Sequence, residues 1–329
     1  MARRTNWENQ IGQRLRLRDL HVLFTVAERG SMAKAATELG ISQPSVSDVI
    51  ANLESALGVR LLDRNPHGVE PTMYGHALLK RGLAAFDELK QGIRDIEFLS
   101  DPTAGEIRIG CAEAVAAILT PILEPFFREY PRVVVHMDPS DNLGPQLPAL
   151  RDRRCDLILR HLATLLLDDL PIDDLNVEIL CNDRLVVAVG KRSPWARRRK
   201  VDLADLIDGP WILSAPDSWN YRIISEAFRA RGLDLPRIRL VTYSVHVRAD
   251  MVASGEYITT FPSSMVRYFA ARSAVKALPV DLPVQPLPLG IVTLKNRMLS
   301  PVVERFIQHL RDFTRPMRTE QSVDGDGSS

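Results

Sequence analysis

The stretch Ser42-Gln43-Pro44-Ser45-Val46-Ser47-Asp48 carries amide, hydroxyl and carboxylate groups at the start of a helix-like pattern. Val46, Ile50, Leu53 and Leu57 fall on one stripe at helical spacing, and Gln43, Ser45, Ser47 and Asp48 are left outside it. Hydrogen-bonding side chains near the N-terminus of a helix are what a major groove admits and what base edges answer to. Asp48 is the odd member, because a polyanion repels an acid. It can accept a hydrogen bond from cytosine N4 and so act in selection. Alternatively it bonds a neighbouring side chain, while Arg60 and the N-terminal arginines Arg3, Arg4, Arg14, Arg16 and Arg18 supply the attraction for phosphate.

A second set lies where apolar runs end: Cys111-Ala112-Glu113, Ser140-Asp141-Asn142, Arg160-His161, Ser214 through Trp219, and Thr260-Phe261-Pro262. In open α/β sheets ligands sit beyond the carboxyl ends of strands and near helix N-termini. Glu113 with Asn142 and Asp217 suits hydroxyls or an amine, with Arg160 countering charge and Trp219 or Phe261 stacking. Ser218 joins this candidate effector-binding set; the competing expectation is that several of these residues are helix caps or surface residues. Cys111 is expected to be buried and inert.

The elements that must position these groups are legible from spacing and punctuation. DLHVLFTVAERG places Leu20, Leu23, Phe24 and Ala27 on one face and stops at Gly30. Ser31 can cap a second helix, in which Ala35 and Ala36 allow close approach, and Gly40 ends it. Ser42 can cap a third helix, with Pro44 tolerated in the first turn. Two helices joined by a short glycine turn, the second polar at its N-terminus, form the pattern of a helix-turn-helix. Two extended runs around Asn65-Pro66-His67-Gly68 suit a wing. Thr72 then caps a long helix over about 73–99, in which Leu79, Phe86, Leu89, Ile93 and Ile96 make a near-heptad seam, with Gly82 filling one position. Such a seam needs a second helix, which predicts a dimer contact; packing on its own domain is the alternative.

After the punctuation at 100–105 the pattern becomes α/β, with mostly parallel strands expected at 106–111, 132–137, 156–160, 184–189, 210–214, 238–242 and 290–295. Helices fit 114–129, 143–153, 219–231, 245–254, 262–271 and 300–314. From about Arg315 to Ser329 the chain is polar and rich in glycine and serine, which predicts a disordered tail.

At 329 residues, two or three domains are expected. The 45% apolar and 25% charged fractions are ordinary, and a net charge of +1 means that any DNA binding must come from geometry. The three cysteines, Cys111, Cys155 and Cys181, show neither metal nor disulfide spacing. Neither a signal peptide nor a run of eighteen apolar residues is present, so a cytoplasmic chain with no membrane partner is expected. No nucleophile elbow, Walker loop, GxGxxG or metal spacing supports catalysis, so no enzyme activity, cofactor or metal is expected.

The run FTVAERGSMAKAATELGISQPSVSDVIANLESALGVRLLDRNPHGVEPTMYG resembles the N-terminal domain of LysR-type bacterial transcriptional regulators. It holds the S-x-x-x-A-A-x-x-L helix, the SQP entry, the L-E-x-x-L-G exit and the R-L-L-D-R wing. The long helix, GEIRIG, DLIL and PWIL extend the resemblance over about 17–314. It implies an α+β chain: a winged helix-turn-helix over 1–72, a linker and dimerisation helix over 73–100, and a two-lobed α/β effector-binding domain over 101–315, resembling periplasmic binding proteins. Lobe I would span about 105–182 and 286–315, lobe II about 183–285, followed by the tail at 316–329. The implied partners are double-stranded promoter DNA, a small-molecule effector bound between the lobes, a homodimer or homotetramer, and RNA polymerase.

On this resemblance Gln43 matches the base-contacting glutamine, which can pair with adenine N6 and N7. Ser31, Ser42, Ser45 and Ser47 can reach phosphates or bases, Pro44 can meet a thymine methyl, and Arg64 can brace the wing or reach phosphate. His67 stands where relatives often carry a minor-groove arginine, and Asp48 where they carry Arg or Lys. Losing one cationic contact lowers the salt slope by only about 1 unit. Relatives place Ser or Thr after the first strand to hold an effector carboxylate; here Ala114 follows Glu113, which argues against a simple anion. A redox-sensing regulator acting through Cys111, and an enzyme or solute-binding protein with a helical head, are the alternatives.

Overall fold

The computed structural model describes residues 15–65, 68–116, 119–139, 143–162, 165, 171–272 and 274–324. The chain divides into two compact units, one ending at Lys90 and one beginning at Gln91. The division falls inside the long helix rather than at either end of it.

The first unit opens with α1 (Leu17–Arg29), α2 (Met32–Leu39) and α3 (Gln43–Leu57). Ser31 and Ser42 cap α2 and α3 by accepting from the backbone N–H three residues on, at 3.4 and 3.2 Å. Gly40 ends α2 at φ 65°, in the left-handed region where a side chain would be strained. Leu23, Val26, Ala35, Val46, Ile50 and Leu53 close the core between the three helices. Burying each of the larger aliphatic side chains contributes about 1.5–3 kcal/mol. The antiparallel wing is β1 (Leu62–Asn65) with β2 (Gly68–Pro71).

Thr72 caps α4 (Met73–Ser100), accepting from Gly75 N at 3.1 Å. The first half of α4 turns out to pack on its own head. Leu78 and Leu79 lean on the three-helix core, and Phe86 meets Phe24 edge-on at 5.6 Å. Gly82 faces the Phe24 ring, which lies 2.9 Å from where a Cβ would stand. The missing side chain at Gly82 thus admits an aromatic from its own head rather than filling an intermolecular seam.

In the second unit, Phe98 of α4 packs against the α/β core, and Arg94 Nη1 lies 3.5 Å from Asp156 Oδ1. The elements that follow are β3 (Ala104–Cys111), α5 (Glu113–Ala116), α6 (Thr120–Glu129), β4 (Arg132–Pro139), α7 (Leu143–Arg151), β5 (Leu157–His161) and β6 (Leu175–Asp183). The chain continues through β7 (Leu185–Gly190), β8 (Trp211–Leu213), α8 (Trp219–Ala230), β9 (Ile238–Val241), α9 (Val245–Ala253) and β10 (Ile258–Pro262). It closes with α10 (Ser263–Arg272), β11 (Val275–Ala277), β12 (Leu287–Leu294) and α11 (Pro301–Asp324).

Two five-stranded sheets result, ordered β4-β3-β5-β12-β6 and β11-β7-β10-β8-β9. The chain crosses from the first lobe to the second at Arg184 and returns between β11 and β12.

Several sequence expectations need correction. The sheets are mixed rather than mostly parallel, because β12 runs antiparallel to both β5 and β6, and β7 antiparallel to β10 and β11. A chain that crosses between lobes and returns brings its connecting strands back the other way. β6, β10 and β11 are strands that the apolar pattern does not announce. The single helix expected over 114–129 is two, α5 and α6, with Pro121 in the first turn of the second. The last helix runs to Asp324, so 315–324 is helical rather than a disordered tail; Met317 packs against the lobe core and carries it onward.

Candidate nucleic-acid interface and effector cleft

On the head, the capped start of α3 leaves Gln43, Pro44, Ser45 and Asp48 exposed and Ser47 half-buried. The Ser42 hydroxyl lies 2.8 Å from that of Ser45, so both are partly spent on the cap. Arg64 is exposed on β1 of the wing. Ser31, Gln43, Arg64, Asn65 and Gly68 line one open depression of about 320 Å³, so the starts of α2 and α3 and the wing meet around a shared polar hollow. Asp48 makes no side-chain bond with another described residue, so the bland expectation of a bonded neighbour is not met. His67 lies outside the described residues. Elsewhere on the head, Arg29 and Glu38 pair through a bidentate contact that ties α1 to α2.

In the second unit, the carboxyl ends of β3, β5, β8 and β10 converge where the lobes meet. Cys111 is fully buried and Ala114 is buried. Glu113 reaches across to lobe II and accepts from Val245 N at 3.0 Å, capping α9 together with the Ser244 hydroxyl. A carboxylate is favoured at a helix N-terminus, so this group holds the lobes together. Asp217 accepts from the Tyr243 hydroxyl, and Ser218 caps α8 by accepting from Tyr221 N at 3.1 Å. The idea that Glu113 and Asp217 wait for a hydroxyl or amine ligand therefore meets two carboxylates already engaged, and Ser218 is a cap. Asn142 lies outside the described residues.

Arg160 is fully buried and donates from Nη1 to Gln146 Oε1 at 3.0 Å; Gln146 Nε2 in turn donates to Cys111 O at 3.0 Å. On lobe II, Arg248 is buried over the Phe261 ring, 5.0 Å from its centre, and donates to Thr260 O at 3.3 Å. Thr260 Oγ1 donates to Asn220 Oδ1 at 2.8 Å, next to Trp219. The Trp219 ring packs against His161 of lobe I with centroids 5.6 Å apart. Trp219 thus meets His161 of lobe I, whereas Arg160 is engaged with Gln146 and Phe261 with Arg248.

Sequence reasoning missed the group at the hinge. Asp183, 5% exposed, accepts from Ser263 Oγ at 2.6 Å, Arg184 N at 2.8 Å, Ser264 N at 3.2 Å, the Ser264 hydroxyl, and His161 Nε2 at 3.3 Å. Burial alone would raise the pKa of this carboxyl. The hydrogen bond and charge of His161, with the two serine hydroxyls, outweigh burial and hold it well below the usual carboxylate range. The only sequence signal was an acid at the close of the run LNVEILCND, beside the expected crossing. A second buried group went unseen: Arg297 donates to Cys155 O at 2.7 Å and to Asp156 Oδ1 at 3.1 Å, while Asp156 Oδ2 accepts from Arg108 N. Burial pushes the neighbouring Cys155 thiol up to about 11, away from reactivity. The basic run Arg197-Arg198-Arg199-Lys200 is exposed, with Arg198 stacked 4.4 Å from the centre of the Trp195 ring.

A winged helix-turn-helix followed by a two-lobed α/β domain, with polar groups gathered between the lobes, defines a ligand-responsive DNA-binding protein. Residues 17–76 match the family model of the bacterial regulatory helix-turn-helix protein, lysR family, and residues 100–315 match the LysR substrate binding domain. The transcriptional regulator GbpR of Azospirillum brasilense is 27% identical over 302 residues, 91% of this chain and 86% of its own length. The transcriptional dual regulator GltC of Bacillus subtilis is 28% identical over 305 residues, 91% of this chain and 97% of its own. Among solved structures, full-length CbnR in complex with its target DNA superposes with a TM-score of 0.56 at 21% identity, covering 91% of this chain and 99% of that one. A single-residue variant of full-length OxyR from Pseudomonas aeruginosa gives a TM-score of 0.60 at 21% identity, covering 92% and 95%; at these identities the two structures speak for the fold. The chain belongs to the LysR family of DNA-binding transcriptional regulators with an effector-binding domain. The family consists of regulators, not enzymes. No helix among the described residues is long and apolar enough to cross a membrane.

Proposed function

We propose that this regulator reads operator DNA through the exposed start of α3, with Gln43 and Ser47 on one helical face, Pro44 and Asp48 beside it, and Arg64 of the wing on the adjacent phosphates. The single observation that carries this reading is the shared hollow that Gln43 and Arg64 line together with the starts of two capped helices. Asp48, exposed and without a bonded neighbour among the described residues, is assigned to a cytosine N4 donor. The arginines before residue 19 contribute sequence-independent attraction.

Two copies pair through the second half of α4, where Leu89, Ile93 and Ile96 are 51%, 57% and 65% exposed on one side of the helix. Leu79 and Phe86 are left out of this contact because their own head takes them. The effector lies between the lobes, near Arg160, Trp219 and Phe261. Such a dimer, or a tetramer built from it, acts in the cytoplasm at a promoter, where RNA polymerase is the partner it influences.

The test is a gel shift at stated salt with the promoter region beside its own gene, comparing wild type with Gln43→Ala. Loss of one bidentate base contact costs about 1–3 kcal/mol, a drop of roughly 5- to 150-fold in affinity. Equal shifts with both proteins would remove α3 from the duplex.

A further inference from the structure

Between β7 and β8 of lobe II the chain runs Lys191-Arg192-Ser193-Pro194-Trp195-Ala196-Arg197-Arg198-Arg199-Lys200, six cations without one acid in a chain whose net charge is only +1. The segment is firmly anchored. Ser193, Ala196 and Val201 are buried, Ser193 Oγ accepts from Trp195 N at 3.4 Å, and Pro194–Arg197 close a 3₁₀ turn. From β11, Lys276 Nζ donates to Ala196 O at 2.7 Å and adds a further positive charge; Val201 N donates to Pro279 O at 3.4 Å. Between these anchors all six cations of the run are exposed.

Little on lobe II neutralises them. Arg198 lies over the Trp195 ring and 3.8 Å from Asp205 Oδ2, whereas Arg192, Arg197, Arg199 and Lys200 make no ion pair or side-chain hydrogen bond with another described residue. The nearest acids in sequence are turned onto backbone: Asp202 Oδ1 accepts from Ala204 N at 3.1 Å, and Asp205 Oδ2 from Asp202 N at 3.2 Å. The head shows the opposite imbalance. Over residues 17–76 five Lys and Arg face seven Asp and Glu, and Arg29 is further spent on Glu38. The four arginines ahead of residue 17, with Glu8, bring the whole of 1–76 only to nine against eight. Neutralising phosphates and releasing their counterions supplies essentially all sequence-independent affinity for DNA. The head is therefore poorly supplied with the charge that its task calls for.

We propose that this turn is a second DNA-contacting surface: Arg197, Arg199 and Lys200, with Arg192 beside them, hold phosphates of duplex DNA without reading its bases. Duplex DNA carries one negative charge about every 1.7 Å of its axis. Cations strung along a chain segment match that line of charge, whereas a small anion calls for donors that converge on a point. The guanidinium forks take two phosphate oxygens at once, and Lys200 acts as a point charge. This role rests on the DNA binding that defines the family and is independent of which bases α3 meets. The head selects the sequence, and lobe II adds the attraction that the head's own charge withholds.

Binding of the full-length protein to a long mixed-sequence duplex is followed by fluorescence anisotropy from low to physiological salt. The triple variant Arg197→Gln, Arg199→Gln and Lys200→Gln is compared with Arg128→Gln, Arg229→Gln and Arg305→Gln, which remove the same charge from exposed positions outside the turn. Each phosphate contact contributes about 0.9 to the slope of log K against log salt, so the turn variant should lose roughly 2–3 units and the control close to none. An unchanged slope in the turn variant overturns the assignment. An equal fall in both variants overturns it too, because net charge and not the turn then governs binding. An unchanged slope accompanied by altered transcription with purified polymerase also overturns it, and makes an acidic protein the occupant of the turn. All the replaced side chains are exposed, so unfolding midpoints should match wild type. Should the triple variant unfold early, Arg199→Gln and Lys200→Gln singly carry the test, each expected to lose about 1 unit of slope and each overturning the assignment if it loses none.

Discussion

Replacing Asp183 with asparagine tests whether one buried carboxylate holds the hinge. Its Oδ1 accepts from Ser263 Oγ, Arg184 N and Ser264 N, and its Oδ2 from His161 Nε2 and the Ser264 hydroxyl. Asparagine supplies one acceptor oxygen and turns an NH₂ toward the donors on the other side. A serine hydroxyl can rotate to accept from it, but neither a backbone N–H nor the His161 N–H can, and the charge that faces His161 is gone. Removing one partner of a buried, hydrogen-bonded charge pair costs about 3–5 kcal/mol. At roughly 2–4 °C per kcal/mol for a domain of this size, the midpoint should fall by about 6–20 °C in thermal unfolding followed by circular dichroism. The pH dependence has a definite sign. A carboxyl held below its unfolded value of about 3.9 contributes stability that is present above that pH and is lost as pH falls below it. The gap between wild type and Asp183→Asn should therefore be full near neutrality and narrow in acid. A variant within about 1 kcal/mol of wild type at neutral pH, far short of what a broken buried pair costs, or a gap that widens in acid, would refute the assignment of the hinge to this carboxylate.

Three further outcomes follow from the geometry. Ser42→Ala removes the cap of α3 and should cost the protein about 1 kcal/mol by chemical denaturation, with weaker operator binding because the reading end of the helix frays; an unchanged midpoint would remove the cap from the account. Ile93→Glu or Leu89→Glu should convert dimers to monomers by light scattering without lowering the unfolding midpoint, since both side chains are exposed in the single chain, and a persistent dimer would move the contact elsewhere. Cys111 and Cys155 should resist a thiol reagent at pH 8 until denaturant is added, because one is sealed in the core and the other has a thiol pushed up to about 11; rapid labelling of the native protein would reopen a redox role.

Legibility differed between the two units for a physical reason. In the head, the buried stripe Val46-Ile50-Leu53, the serine caps and the glycine stop at Gly40 are local rules, and local rules act within a few residues of chain. The three helices and the wing could therefore be drawn before any coordinates. β10 resisted the same treatment because Thr259 and Thr260 are buried polar residues, made tolerable by bonds to Ile212 O and Asn220 Oδ1 from distant segments. β6 resisted because most of its side chains between Leu175 and Leu180 face outward, so no apolar run marks it. Glu113 and Ser218 were expected at an effector, whereas both cap helices, and that role depends on which helix N-terminus arrives beside them.

The sequence by itself determined the kind of molecule: a helix with a polar reading end, a wing, a long helix, and alternating strands and helices. Those features rest on spacing, caps and turns that any chain of this order must obey. Only the tertiary structure decided which groups meet. It split α4 between a half that its own head buries and a half that keeps Leu89, Ile93 and Ile96 exposed, and it set His161 against Trp219 and Asp183 against Ser263 and Ser264, some eighty residues away in the chain. Contacts of that range depend on how whole elements pack, and no local pattern encodes the partner.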